Sequence, residues 1–130
     1  CGGAHNHREA LSSAVMIKDN HIAACGGVRE AIERAKKFAP HTSRIECEVD
    51  THEQLVIALD AGADIIMLDN FDDDAVRAAV AFTDGRAILE ASGGITIERI
   101  PALAQAGVDV ISVGALTHSA PAVDLGLDWR

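Results

Sequence analysis

The stretch Ile65-Ile66-Met67-Leu68-Asp69-Asn70 runs through four large apolar residues and stops on a carboxylate and an amide. A run so short and so apolar reads as a strand inside a core. Similar runs recur along the chain and predict strands at 14–18, 44–49, 64–68, 86–91 and 110–113. Between them the pattern turns amphipathic, which predicts helices at 28–38, 52–61, 73–82 and 97–106. In the second of these Leu55, Val56 and Leu59 share one face, as a core-facing stripe requires. Thr51 and Asp72 suit helix N-caps, and Gly62 and Gly107 suit helix stops. Strand and helix in alternation predict βα units with a parallel sheet. The near-continuous apolar character of the runs predicts strands covered on both faces. "DAGADIIML" and "QAGVDVISV" repeat one helix-Gly-strand join, and "MIKDN" at 16–20 parallels "MLDN" at 67–70.

With 130 residues the chain has room for one domain, and a chain of this size buries roughly two thirds of its unfolded surface. Its net charge of −9, with 11 Lys and Arg against 20 Asp and Glu, argues against a nucleic-acid surface. Stacking platforms are scarce too, since there is no Tyr, one Trp and three Phe. A few converging cations still suffice for a small anion, and Arg8, Lys18 and the nearby histidines are the candidates. No apolar run approaches a membrane span, so neither membrane insertion nor a secretory signal is expected, and the expected location is cytoplasmic. Cys1, Cys25 and Cys47 are odd in number and widely spaced, which predicts free thiols in a reducing compartment. His5-Asn6-His7 lacks Cys or carboxylate partners at ligand spacing, so its histidines are expected to hydrogen-bond rather than to hold a transition metal.

The carboxyl ends of the five predicted strands carry Lys18, then Glu48, then Asp69, then Glu90 with Ser92-Gly93-Gly94, then Gly114. In a parallel βα array these ends lie on one rim, where such folds place their sites. A strand also turns polar merely by leaving the core, so the signal is the coincidence across every strand. Two glycine loops on successive strands, "EASGGIT" and "SVGALTH", match the way barrels bind phosphate with backbone N–H groups. Lys18 suits a Schiff-base lysine, a pyrophosphate or carboxylate ligand, or a partner for Asp69. Glu48 and Asp69 suit acid/base groups, sugar-hydroxyl ligands, or contacts to a magnesium ion held mainly by substrate. Glu46 and Glu48 share a strand face, with Glu46 deeper.

Taken in order, "GGAHNHR", "IKDNHI", "ECEVD", "IIMLDNF", "LEASGGIT" and "VGALTHS" resemble the carboxyl-terminal portion of the quinolinate phosphoribosyltransferases, the carboxylating nicotinate-nucleotide pyrophosphorylases, over essentially the whole chain. The resemblance implies the second part of an α/β (TIM-like) barrel. It implies transfer of phosphoribose from 5-phosphoribosyl pyrophosphate to quinolinate with decarboxylation, giving nicotinate mononucleotide, pyrophosphate and CO2 for NAD biosynthesis, with Mg2+. It further implies His7 and Arg8 as quinolinate contacts and Lys18 as a ligand for substrate or pyrophosphate. Glu48 and Asp69 would lie near the ribose hydroxyls and magnesium, and Ser92, Gly93 and Gly114 would form the 5′-phosphate cradle with His118 beside it. Lys18, Glu48 and Asp69 are thus the candidate catalytic residues.

The family's amino-terminal α/β domain and early barrel strands, with a basic Thr-Arg-Lys substrate segment, are not in this sequence, and Ala4 stands where the family often has a third Gly. The chain is therefore expected to be part of a longer enzyme and inactive alone. An incomplete barrel leaves open edges, so a homo-oligomer, a dimer or larger, is expected. Two other readings compete: another phosphate-binding barrel enzyme such as a lysine-dependent aldolase, and a non-catalytic assembly module.

Overall fold

The computed structural model describes residues 2–10 and 13–129, so the thiol expected at Cys1 lies outside the described residues. Five strands, β1 (Val15–Ile17), β2 (Ile45–Val49), β3 (Ile65–Asp69), β4 (Ile88–Ser92) and β5 (Val110–Ile111), form one sheet in the order β1-β2-β3-β4-β5. Every neighbouring pair is parallel. Sequential parallel order requires a crossover after each strand. These are supplied by α1 (Asp19–Cys25) with α2 (Val28–Phe38), then α3 (His52–Asp60), α4 (Asp73–Thr83) and α5 (Ile100–Ala106), and α6 (Ala115–His118) follows β5. The sheet is not closed among the described residues: β1 and β5 remain edges, as in an incomplete barrel.

Local chemistry explains the element ends. Thr51 caps α3 by accepting from the Gln54 N–H, and Asp72 caps α4 by accepting from the Ala75 N–H at 2.8 Å. Gly107 ends α5, and Gly62 follows the last residue of the α3 cap. The repeated join has a further function. Asp64 and Asp109 each stand just before a strand, and each clamps the strand before it. The Asp64 carboxylate accepts from the Ile45 N–H while its own N–H donates to the Ile45 carbonyl, and Asp109 does the same with Leu89.

Side chains alternate across a strand, and the register turns that alternation into two chemically distinct faces. Cys47 pairs with Ile17 and Ile66, Ile66 with Leu89, and Val49 with Leu68. These residues are almost fully buried with Ile32, Leu55, Ala58, Val76, Ala79 and Leu103 of the helices. Burying a side chain such as Leu55 contributes roughly 1.5–3 kcal/mol each. The other face carries Glu46, Glu48, Met67, Asp69, Glu90 and Ser92. The strands are covered on both faces, as expected, but by different means: helices pack on one, and on the other Glu46, Met67 and Glu90 are buried although ionisable groups line it.

Some element bounds are corrected. Strand β3 runs one residue further, through Asp69, and β4 runs through Ser92, because Asp69 and Ser92 pair. Helix α5 starts at Ile100 rather than 97, since residues 97–99 make a turn and Pro101 occupies the first turn of the helix, where its missing N–H costs nothing. Helix α1 was not signalled by apolar periodicity, having seven residues and none of them buried.

Cys47 lies under the helices, and burial, then the charges of Glu48 and Glu46, push its thiol up to about 12. It therefore stays protonated and unreactive through neutral and mildly alkaline pH. Mass spectrometry after iodoacetamide treatment at pH 8 should find Cys47 labelled only once the chain is unfolded, with partly exposed Cys25 labelled beforehand. For the clamps, Asp64→Ala and Asp109→Ala should each lower stability by about 1–2 kcal/mol in urea titration, the cost of leaving a strand N–H unpaired.

Candidate active site

All of the rim residues read from the sequence lie on the polar face or in the loops that leave it. Lys18 follows β1 directly and donates to Glu48 Oε2 at 2.5 Å, with side chains 48% and 14% exposed respectively. Bonding to Glu48 raises the Lys18 pKa above the usual lysine value, helped by the charges of Asp69 and Asp19 and opposed by partial burial. A Schiff-base lysine needs the opposite shift, toward the free amine. The ion pair therefore runs against an aldolase and favours a lysine that works as a cation.

Asp69 ends β3, and its carboxylate is braced by its neighbour: Asn70 Nδ2 donates to Asp69 Oδ2 at 2.8 Å. Asn70 adopts the left-handed region at φ 56° and donates its own N–H to the Ser92 carbonyl at 3.1 Å. That contact joins the loop after β3 to the glycine loop after β4. Gly93 is the residue that permits it. Its φ is +80°, and a Cβ there would lie 2.4 Å from Asn70 Oδ1 and 2.7 Å from the Asn70 backbone nitrogen. Arg99, not singled out from the sequence, holds the same loop from the other side, donating to Asp73 Oδ1 at 2.8 Å and to the Phe71 carbonyl. An arginine at a helix start gives no sequence signal of its partner.

Gly114 opens α6, with His118 one turn on; a Cβ at Gly114 would meet His118 Nε2 at an ordinary 3.5 Å. His118 Nδ1 lies 2.8 Å from Ser119 Oγ.

The register confirms Glu46 as deeper than Glu48, and it is almost fully buried. Glu90 pairs with Met67, which pairs with Glu48, so Glu90 sits at the level of Glu48 rather than at the strand end. It too is nearly fully buried, and it accepts from the Ser112 hydroxyl. His7 crosses onto this pair, with Nε2 3.1 Å from Glu90 Oε1 and 3.4 Å from Glu46 Oε1. The carboxylate partners that His7 lacks locally are thus delivered by β2 and β4. The three offer ligand atoms within 4.8 Å of one another. Burial first, then the Glu90 charge, raises the Glu46 pKa, while His7 and Arg8 act in the other direction.

Parallel βα units with a cation, carboxylates and glycine loops on one rim define an α/β barrel portion with its candidate site at the carboxyl ends of its strands. The comparisons narrow this. The family model "Quinolinate phosphoribosyl transferase, C-terminal domain" matches residues 1–128, and the chain belongs to that family. It is 50% identical over 127 residues to a Bacillus subtilis protein described as a probable carboxylating nicotinate-nucleotide pyrophosphorylase, covering 98% of this chain and 44% of that one. The human carboxylating nicotinate-nucleotide pyrophosphorylase is 40% identical over 129 residues, 97% of this chain and 43% of its own. The solved nicotinate-nucleotide pyrophosphorylase of Francisella tularensis superposes with a TM-score of 0.84 at 45% identity, covering 90% of this chain and 41% of that chain. This chain thus spans less than half the length of these relatives.

Two glycines should separate under mutation. Gly93→Ala should cost about 1–3 kcal/mol, because a side chain there meets backbone in a left-handed conformation. Gly114→Ala, at φ −63°, should leave the urea midpoint unchanged.

Proposed function

We propose that this chain forms part of the active site of an enzyme that transfers phosphoribose from 5-phosphoribosyl pyrophosphate to quinolinate, with decarboxylation, to give nicotinate mononucleotide, pyrophosphate and CO2. The observation that carries this reading is the Lys18–Glu48 ion pair beside Asp69 on one rim, in a chain of this family. A dianionic acid and a polyphosphate require cations and backbone donors, and a ribose turning oxocarbenium-like requires nearby negative charge. The rim residues have both.

In this reading Glu48 and Asp69 face the ribose, where their charge stabilises the cation that develops at the sugar as its bond to pyrophosphate breaks. Lys18 binds pyrophosphate or a substrate carboxylate, and its fixed charge suits that better than proton transfer. His7 and Arg8 bind the quinolinate carboxylates. Ser92, Gly93 and Gly114 bind the 5′-phosphate through backbone N–H groups and the hydroxyl, with His118 close by. The donors at Glu48 and Asp69 are hard carboxylate oxygens, which fit magnesium. Because Lys18 already occupies one Glu48 oxygen, these residues would hold the ion through water or substrate. When bound, magnesium neutralises charge on the pyrophosphate. The open sheet edges support assembly as a homo-oligomer, and the absence of any helix long and apolar enough to cross a membrane among the described residues is compatible with a cytoplasmic enzyme.

The test is steady-state kinetics in a full-length enzyme containing this chain. Lys18→Ala and Asp69→Ala should each reduce kcat/KM by roughly 100-fold or more while circular dichroism stays native. Near-normal rates in both would sink the assignment. The Lys18 pair should also give the chain a pH signature. A raised lysine pKa means its stabilising contribution is complete below the ordinary lysine value of 10.5 and is lost as pH rises through the raised one.

A further inference from the structure

The Glu46–Glu90 pair has no part in the reaction as described above, and it is the most costly feature of the polar face. Two carboxyl groups, each 4% exposed, sit within reach of the same imidazole nitrogen. Glu46 Oε1 has no hydrogen-bond partner among the described residues, although it is aimed at His7. Leaving a buried carboxyl oxygen so placed costs stability that an apolar residue at the same position would not. Something beyond packing accounts for both acids.

We propose that Glu46 and Glu90 are positioning residues for His7: the buried pair grips the inward ring nitrogen, Nε2, and so turns the other, Nδ1, toward the open rim. The inference rests on the reading of His7 as a quinolinate-carboxylate contact. The two acids have different parts. Glu90 Oε1 accepts from the Ser112 hydroxyl and lies 3.1 Å from the imidazole Nε2, so it is the nearer grip on the ring. Glu46 Oε1 has no hydrogen-bond partner among the described residues and lies 3.4 Å from the same nitrogen, closing the other side of the ring's seat.

The charged groups that bear on the pair are His7 and Arg8 in the amino-terminal segment. Ser112, beyond β5, adds a neutral donor.

The experiment is long-range 1H–15N NMR on the imidazole of His7 in this full chain, without substrate. The expected spectrum at neutral pH shows a resolved Nε2–H that exchanges slowly with water. Glu46→Gln should keep it. Glu90→Ala should abolish it while the backbone spectrum of β2 to β4 stays native. Should Glu90→Ala fail to fold, Glu90→Gln keeps the volume but not the charge, and Nε2–H exchange should then accelerate by about 10-fold, as expected when a charged acceptor becomes neutral. A His7 ring that interconverts between tautomers in the unmutated chain, or is unmoved by either Glu90 variant, overturns the proposal. Adding quinolinate separates this from the function: a chain with the Nε2–H signature that shows no shift at His7 argues against the proposed substrate contact and leaves the anchor standing.

Discussion

The period of two along a strand is the constraint on which the molecule depends. With every strand parallel and in register, one set of alternate residues from Ile17, Cys47, Ile66 and Leu89 meets the helices, and the other set cannot. Helical coverage of the first face supplies the hydrophobic free energy. The second face is thereby released to carry Lys18, Glu46, Glu48, Asp69 and Glu90, which no single apolar core would hold. A slip of one residue in any strand would exchange the faces and bury those charges under the helices. Core and site are two sides of the same register.

The polar face is arranged by depth. Near the rim, where water reaches, Lys18 and Glu48 pair directly. A step inward, Glu46 and Glu90 are almost fully buried, and the His7 imidazole reaches both. The loops above are stitched to each other as well as anchored in the core by Phe71 and Ile95. Asn70 reaches the Ser92 carbonyl, Gly93 makes room for Asn70, and Arg99 ties Phe71 and Asp73 to α5. Such cross-links hold a site's groups at defined spacing.

Much of this was legible from the chain. The apolar runs locate all five strands to within a few residues, because a buried parallel strand needs a continuous apolar stretch whatever its partners. The caps Thr51 and Asp72 were legible because they act within three residues of themselves. Lys18, Glu48 and Asp69 could be placed on a common rim because strand ends in a parallel array share one side. Helix α1 escaped, since seven exposed residues bury no stripe. The start of α5 was misjudged because an apolar pattern continues through a turn as readily as through a helix.

By itself, then, the sequence determined what depends on neighbours along the chain: strand and helix order, caps, the rim and the family motifs. Tertiary structure alone decided that His7 meets Glu46 and Glu90, that Glu48 is taken by Lys18, that Gly93 faces Asn70, and that one sheet face is polar. The physical reason is that these contacts join residues far apart in sequence. Their energy depends on strand register and burial, which take a value only when the whole sheet has formed.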